Sequence, residues 1–300
     1  MPKSSPTLKV LYSADMVSDA GRRVSPSDRK PLEVSAALSR TSWPVEIIAP
    51  EPSSLANICR VHDARFVSDV LELRRASGFG SISASVARSL PYTCGAFYDS
   101  SVMALREGIS CSLSSGFHHA GPSASRGFCT FNGLMIAAAQ LLHEQRLSRV
   151  AIIDCDYHYG DGTQAIIDAM NLADRVLHVS FGLTYKKPEQ AEAYLANVAH
   201  LREVLGDFRP DLVMYQAGAD THVDDPLGGL LTSEQMRKRD RTMFVIAREL
   251  SIPITWNLAG GYQIEKDGSI PRVIELHLNT FREALEVWQL IEPQSLATAH

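Results

Sequence analysis

The sequence lacks the features that mark membrane, secreted and disulfide-rich proteins. None of its 300 residues belongs to an uninterrupted apolar run of the length that a membrane-spanning helix requires, about 18 residues. The N-terminal stretch MPKSSPTLKV has no apolar centre of the kind found in a secretory signal. The five cysteines are widely spaced and form no CxxC pair, which argues against a disulfide framework. These absences predict a cytoplasmic protein without membrane contact.

Basic tracts are also missing. The chain has 29 Lys and Arg against 34 Asp and Glu, a net charge of −5. The runs Arg22-Arg23 and Arg237-Lys238-Arg239 are too short to form a basic patch by themselves. Proteins that hold nucleic acid by bulk electrostatics concentrate positive charge. We therefore expect no nucleic-acid partner.

The composition is that of a globular protein with a sizeable core, because 45% of the residues are hydrophobic. There is no linker-like change of composition and no internal repeat. These features predict one domain over residues 1–300, with loose tails at 1–7 and 292–300. Short β-branched runs alternate with longer helical patterns, which predicts an α/β fold with a single parallel sheet covered by helices on both faces. The predicted strands are residues 8–12, 45–48, 110–113, 150–153, 175–181, 210–216 and 252–256, and residues 78–93 are predicted to be a long loop.

The stretch AIIDCDYHYGDGT, residues 151–163, carries the densest chemistry in the chain. It begins as a buried strand and then places Asp154, Asp156 and His158 at alternate positions. Side chains two residues apart on a strand share a face, so two carboxylates and an imidazole are expected to point the same way. Capping of the next helix could account for Asp161 or Thr163, but it does not require the alignment of Asp156 with His158.

Three further groups of reactive residues follow predicted strands: the pair His118-His119, Asp220 and Tyr262. Parallel strands all end at the same edge of a sheet, and open α/β sheets bind their ligands at that edge. We therefore expect these groups to converge with Asp156 and His158. The convergence is the main reason to predict a site, because each group alone would be weak evidence.

Asp156, His158 and Asp220 together offer two oxygen donors and one nitrogen donor. Three protein ligands with a fourth position for water are typical of a catalytic zinc site, and the same donors accept iron, cobalt or manganese. His118 and His119 have two carboxylates nearby, Asp154 and Asp161, and a histidine oriented by a carboxylate is a common general base.

The glycine pair Gly260-Gly261 allows a tight turn that presents the phenol of Tyr262. A phenol aimed at a metal could donate a hydrogen bond to a developing oxyanion.

The motifs GFHHAGP, GFCTFN, IDCDYHYGDGT, AGADTHVDDPLGG and LAGGY closely resemble those of the zinc-dependent histone deacetylase family, including its bacterial acetylpolyamine and acetoin-utilisation relatives. The resemblance runs from about Leu8 to beyond Tyr262, with the motifs in the family's order. It implies the arginase–deacetylase fold, with a parallel sheet of about eight strands.

The resemblance also implies a role for each site residue. The implied zinc ligands are Asp156, His158 and Asp220, with Fe²⁺ or Co²⁺ as alternative metals. The implied catalytic residues are His118 and His119, backed by Asp154 and Asp161 respectively, and Tyr262. A structural potassium ion would use Asp154 and Ser180. The substrate channel would involve Phe128, as one aromatic wall, together with Gly127, Gly260 and Gly261.

The implied reaction is hydrolysis of the amide bond in acetyl-lysine or in a small acetylated amine by a metal-activated water. One alternative is a binuclear manganese ureohydrolase on the same fold, which would need extra carboxylates such as Asp224 and Asp225. Another is a non-catalytic module that binds acylated amines or a partner. The tandem histidines and the GGY element favour deacetylation, and the oligomeric state is left open.

Three features depart from the family pattern. Tyr159 replaces a second histidine, and the early HPER-like motif is reduced to SPSDRKP with Arg29 as the surviving match. The loop FGLTYKKPE lacks the residues that supply a second aromatic wall, unless Phe181 or Tyr185 takes that place. A one-walled mouth predicts activity on small or accessible acylated amines.

Overall fold

The computed structural model describes residues 6–20 and 25–293. The predicted tails at 1–7 and 292–300 fall almost wholly outside this range, as do Arg22 and Arg23. Within the described range, no helix combines the length and the apolar character needed to span a membrane.

Seven strands of the described residues form one sheet in which every pairing is parallel. The strands are β1 (Leu8–Leu11), β2 (Val45–Ile48), β3 (Ile109–Ser112), β4 (Val150–Asp154), β5 (Val176–Ser180), β6 (Leu212–Gln216) and β7 (Ile254–Asn257). Their order in the sheet is β2-β1-β3-β7-β6-β4-β5. This architecture confirms the predicted single parallel sheet, with seven strands where about eight were expected.

Helices cover both faces of the sheet and create two large apolar cores, besides a small cluster of Leu11, Met16 and Ala96. Successive strand residues point to opposite faces, so Ile153 joins one core while Ile152 joins the other. The described helices are α1 (Lys30–Leu38), α2 (Leu55–Ile58), α3 (Ala64–Leu71), α4 (Ala84–Glu107), α5 (Gly133–His143), α6 (Asp161–Ala169), α7 (Ala191–Phe208), α8 (Ser233–Glu249) and α9 (Pro271–Val287). The first core packs against α1, α7, α8 and α9, and the second packs against α3 to α6.

The prediction of a loop over residues 78–93 was wrong in its second half. Helix α4 begins at Ala84, where the Ser83 side chain accepts a hydrogen bond from the amide of Val86. Pro91 lies inside the helix, although an internal proline typically costs about 3 kcal/mol. Val86 and Leu90 are buried in the second core, and we attribute the helix to this tertiary burial overriding the local propensity.

The strand order explains how distant segments meet. Strands β3, β7, β6 and β4 are consecutive neighbours in the sheet. The segments that follow these four strands carry, in the same order, the tandem histidines, Tyr262, Asp220 and the Asp156–His158 pair. Four adjacent carboxyl ends therefore bring the predicted site residues to one edge.

Candidate metal and catalytic site

Asp156, His158 and Asp220 form a group whose ligand atoms all lie within 4.8 Å of one another. His158 Nδ1 lies 2.9 Å from Asp220 Oδ2 and 3.2 Å from Asp156 Oδ1. Asp156 and His158 follow β4, whereas Asp220 sits in a short 3₁₀ turn, Ala219–Thr221, after β6. The structure thus brings the three predicted metal ligands together.

The charges of the three side chains in this group depend strongly on one another. Burial, reinforced by the neighbouring charge of Asp156, raises the pKa of Asp220 to about 7. Hydrogen bonds to Asp156 and Asp220 raise the pKa of His158 to about 10. Two carboxylates buried side by side cannot both remain ionised without a cation between or beside them. The donor set therefore suits a divalent ion such as zinc.

His118 and His119 are each oriented by a carboxylate. Nδ1 of His118 donates to Asp154 Oδ2 at 2.9 Å, and Nδ1 of His119 donates to Asp161 Oδ1 at 2.6 Å. The two imidazole rings lie 4.0 Å apart, centroid to centroid. His119 is the more accessible, with 18% of its side chain exposed against 4% for His118. These are the two histidine–carboxylate pairs that the sequence predicted.

The two histidines differ in basicity. Burial, together with the charge on His118, lowers the pKa of His119 to about 3. Burial also disfavours the charged form of His118, but Asp154 and Asp156 outweigh it and raise the pKa of His118 to about 9. The inner imidazole is therefore the more basic of the two.

Asp154 links β4 to β5 and to the histidines. Its Oδ2 accepts the hydrogen bond of His118 and lies 3.4 Å from the Ser180 hydroxyl, and its Oδ1 accepts from the amide of Asp156. The residue is fully buried, and His178 Nε2 lies 4.0 Å from it. Asp154 and Ser180 are thus adjacent, as a shared cation site would require, and potassium binding stays a prediction.

Tyr262 is placed by the two glycines before it. Gly260 and Gly261 have φ angles of +52° and +90°, which side-chain-bearing residues rarely adopt. A Cβ on Gly260 would also come within 2.4 Å of Asp220 Oδ1, so the turn passes directly over a predicted ligand. Burial and the nearby carboxylates of Asp156 and Asp220 raise the pKa of the Tyr262 phenol, which keeps its proton.

Phe128 borders the same space. Its ring centroid lies 5.5 Å from that of Tyr262 and 5.9 Å from that of Phe79. The preceding Gly127 packs on the His119 imidazole, where a Cβ would come within 2.6 Å of the ring. Phe128 is therefore positioned to form one side of an entrance above the histidines.

The histone deacetylase domain model matches residues 26–191 and 183–280, nearly the whole of the described chain. The chain belongs to the histone deacetylase family. It is 30% identical over 239 residues to an uncharacterized protein of Picosynechococcus, an alignment that covers 73% of this chain and 79% of that protein. The family resemblance predicted from the motifs is confirmed.

Two named relatives align over shorter ranges. Histone deacetylase 2 of Arabidopsis thaliana is 31% identical over 183 residues, covering 53% of this chain and 46% of that protein. A probable deacetylase of Archaeoglobus fulgidus is 32% identical over 187 residues, covering 51% of this chain and 49% of that protein. The alignments thus span about half the length of these relatives.

Among solved structures, the HD domain of HDA15 has a TM-score of 0.74 with 18% identity, covering 97% of this chain and 92% of that one. This similarity confirms the histone deacetylase fold.

The loop that follows β5 carries Phe181 and Tyr185, the two aromatic residues considered for a second wall. Phe181 is buried, with its ring 5.0 Å from that of Tyr194 on α7. Tyr185 packs edge-on against Tyr194 and accepts a hydrogen bond from Asn197. Both aromatic side chains thus pack against residues of α7.

Lys186, in the loop after β5, and Tyr157, between the predicted ligands Asp156 and His158, bind each other. Nζ of Lys186 donates to the carbonyl of Tyr157 at 2.7 Å and lies 4.2 Å from the centre of its ring. In return, the Tyr157 hydroxyl donates to the Lys186 carbonyl at 2.9 Å. Burial lowers the pKa of Lys186, whereas the negative charges of Asp220 and Asp156 raise it. The ammonium therefore interacts electrostatically with both carboxylates.

The degraded HPER-like motif contributes a different residue from the one matched to the histone deacetylases. Arg29 is partly exposed and binds Glu33 and the carbonyl of Gly268. Lys30 instead is fully buried and donates to the carbonyl of Gly260, in the turn before Tyr262. The signal was present in the sequence, because Lys30 shares a helical face with Val34 and Leu38, both of which are buried.

Proposed function

We propose that the protein is a metal-dependent deacetylase that hydrolyses the amide bond of acetyl-lysine or of small acetylated amines. Family membership supports an enzyme that acts on acetylated substrates. The observation that carries the proposal is that a carboxylate–imidazole–carboxylate triad, two histidine–carboxylate pairs and a phenol occupy four adjacent strand ends. We further propose that residues 1–300 act as one such domain.

Asp156, His158 and Asp220 would hold the metal, which we propose to be zinc, with iron or cobalt as alternatives. When bound there, the ion would supply a Lewis acid that polarises the acyl carbonyl and makes water acidic enough to attack near neutral pH, its pKa falling from about 15.7 towards 7. A potassium ion at Asp154 and Ser180 would be structural.

The histidines would move the proton. His119 has Nδ1 committed to Asp161, so its Nε2 is the atom available to take a proton from the attacking water. The same imidazole can later return the proton to the leaving amine. His118, held protonated between Asp154 and Asp156, would tune this exchange through its charge.

The Tyr262 phenol would donate a hydrogen bond to the oxygen that becomes negative as the carbonyl is attacked. Its raised pKa keeps the donor proton in place at neutral pH. Loss of one such donor typically raises the barrier by about 3–4 kcal/mol.

The substrate we propose is a small or accessible acylated amine. Phe128 borders one side of the entrance, while Phe181 and Tyr185 pack towards α7. An entrance with one aromatic wall would grip an extended lysine stem less tightly than a two-walled tunnel. We therefore expect tolerance for scaffolds or acyl groups beyond acetyl-lysine peptides.

A binuclear ureohydrolase would need a second set of metal ligands. Within the described part of the chain, the only group of three or more clustered ligand side chains is Asp156, His158 and Asp220. Asp224 has 64% of its side chain exposed, and Asp225 accepts the amide hydrogen of Tyr262. No observation favours this alternative or a non-catalytic binding module.

The proposal is tested by screening acylated amines and peptides against the zinc-loaded protein. The panel should compare kcat/KM for acetyl-lysine in a long peptide, acetyl-lysine as a free amide, acetylated polyamines and a bulkier acyl-lysine. Turnover of at least one member is expected, and its complete absence with bound metal would contradict the deacetylase proposal. A kcat/KM about a hundredfold higher for the long peptide, equal to about 2.7 kcal/mol, would contradict the open entrance but not the deacetylase activity.

A further inference from the structure

Arg239 on α8 is a fully buried arginine that contacts both segments carrying the predicted metal ligands. Its Nη1 lies 2.8 Å from the carbonyl of Gly218, 2.8 Å from the hydroxyl of Thr221 and 3.3 Å from the carbonyl of Cys155. Gly218 and Thr221 flank Asp220 in sequence, and Cys155 immediately precedes Asp156. One guanidinium nitrogen therefore connects the two carboxylate ligands through their backbones.

The two segments it joins are in close contact. A Cβ on Gly218 would come within 2.4 Å of the Cα of Asp156, so no side chain can separate them. Hydrogen bonds from Arg239 to the carbonyls of Cys155 and Gly218 act on both sides of this contact. One guanidinium nitrogen therefore joins the two backbone segments that present Asp156 and Asp220.

The guanidinium is also bound to Asp240, on the side of Nε. Its Nε donates to Asp240 Oδ1 at 2.7 Å, and Asp240 also accepts hydrogen bonds from the hydroxyls of Tyr215 and Thr280. Tyr215 belongs to β6 and Thr280 to α9, so the sheet and two helices fix the arginine. The planar fork of an arginine can satisfy Asp240 and the ligand segments at once, whereas a lysine offers a single nitrogen.

We propose that Arg239 is a positioning residue that sets the separation of the Asp156 and Asp220 carboxylates and thereby the affinity for the metal. The inference rests on the proposed metal site and adds a residue that does not itself touch the metal or the substrate. Partners that orient metal ligands commonly change affinity by about 10- to 100-fold when removed. The proposed effect is thus on metal binding first and on turnover as a consequence.

The test is a comparison of Arg239→Lys with Arg237→Lys, the same change two residues earlier on α8. Arg237 pairs with Glu283 and has no hydrogen bond to either ligand segment. Zn²⁺ affinity is measured by competition with a chelator, the visible absorption of the Co²⁺-loaded protein reports the ligand geometry, and the Tm of the metal-free protein reports stability. Arg239→Lys should weaken Zn²⁺ binding by about tenfold or more and alter the Co²⁺ spectrum, while Arg237→Lys should do neither.

The outcomes separate the inference from the proposed function. Unchanged Zn²⁺ affinity and an unchanged Co²⁺ spectrum in Arg239→Lys, even with a lower Tm, would overturn the positioning role. Failure of the unaltered protein to bind either metal would overturn the metal site and this inference together. If Arg239→Lys does not fold, Thr221→Val serves instead, because it removes one acceptor of Arg239 without removing a charge. Unchanged affinity in that variant would equally overturn the role.

Discussion

The backbone amide of Tyr262 donates a 2.7 Å hydrogen bond to Oδ2 of Asp225. Asp225 belongs to the segment that follows Asp220, so this bond ties the Tyr262 turn to the loop that carries a predicted metal ligand. Gly260 approaches Asp220 directly, and Lys30 donates a hydrogen bond to the Gly260 carbonyl. The backbone of the Tyr262 turn is therefore held in place relative to the metal ligands.

Because the backbone of its turn is held in this way, Tyr262 can be tested by removing its hydroxyl alone. Tyr262→Phe should lower kcat by about 100- to 1,000-fold, the cost of losing one oxyanion donor. Metal content and KM should change little, since the ring and backbone stay in place. Steady-state kinetics with metal analysis provide the measurement. Tyr185→Phe is the control, because the Tyr185 hydroxyl contacts Asn197 on α7. An undiminished kcat in Tyr262→Phe would refute the oxyanion role.

Asp220→Ala tests the metal site. With one of three protein ligands gone, the variant should lose both bound zinc and activity, while its circular dichroism should stay close to that of the parent protein. Asp224→Ala is the matched control, since Asp224 lies in the same segment with its carboxylate largely exposed. Elemental analysis measures the zinc. Full occupancy in Asp220→Ala would remove this residue from the ligand set.

Lys186→Glu tests whether charge at the entrance selects the substrate. The Lys186 ammonium lies beside Tyr157 and within reach of the site carboxylates, so it should disfavour polycationic substrates. Reversing its charge should raise kcat/KM for an acetylated polyamine relative to a neutral acetyl-lysine amide by about fivefold or more, roughly 1 kcal/mol. Lys187→Glu makes the same change of net charge at the adjacent, exposed lysine. Equal effects in the two variants would show that only the net charge matters.

The stability of the metal-free protein should fall in mild acid because of His62. This buried imidazole donates from Nδ1 to the carbonyl of Gly121 and accepts at Nε2 from the amide of Asn132, so it must be neutral. Burial lowers the pKa of His62 from 6.5 to about 4. In the unfolded chain His62 is protonated below about pH 6.5, whereas in the folded protein it stays neutral down to about pH 4.

It follows that the free energy of unfolding decreases as the pH falls through this window, by up to about 3 kcal/mol at its lower end. Urea denaturation between pH 7 and pH 4 provides the measurement. His62→Gln should show a smaller dependence on pH over the same range. An equal dependence in the variant would assign the acid sensitivity to other groups.

Much of the fold and of the candidate site could be predicted from local sequence patterns. The buried strand that leads to Asp154 could be predicted from its apolar run, but β4 ends at Asp154, so Asp156 and His158 lie beyond it and their placement does not follow from strand alternation as predicted. The convergence of Asp220 and Tyr262 on these residues required only that the strands be parallel. The parallel sheet, the histone deacetylase family and the proximity of the candidate residues were therefore accessible from the sequence alone.

Other features depended on contacts between residues far apart in the sequence. Lys30 meets Gly260 from 230 positions away, and Arg239 meets Cys155 from 84. The packing of Phe181 and Tyr185 against α7, like the helical state of residues 84–93, is decided by which apolar surfaces are adjacent in three dimensions. Strand periodicity is a property of neighbouring residues, whereas the packing partner of a buried side chain is known only once the chain has folded. For this reason the sequence determined which residues face the site, and the tertiary structure alone determined what holds them there.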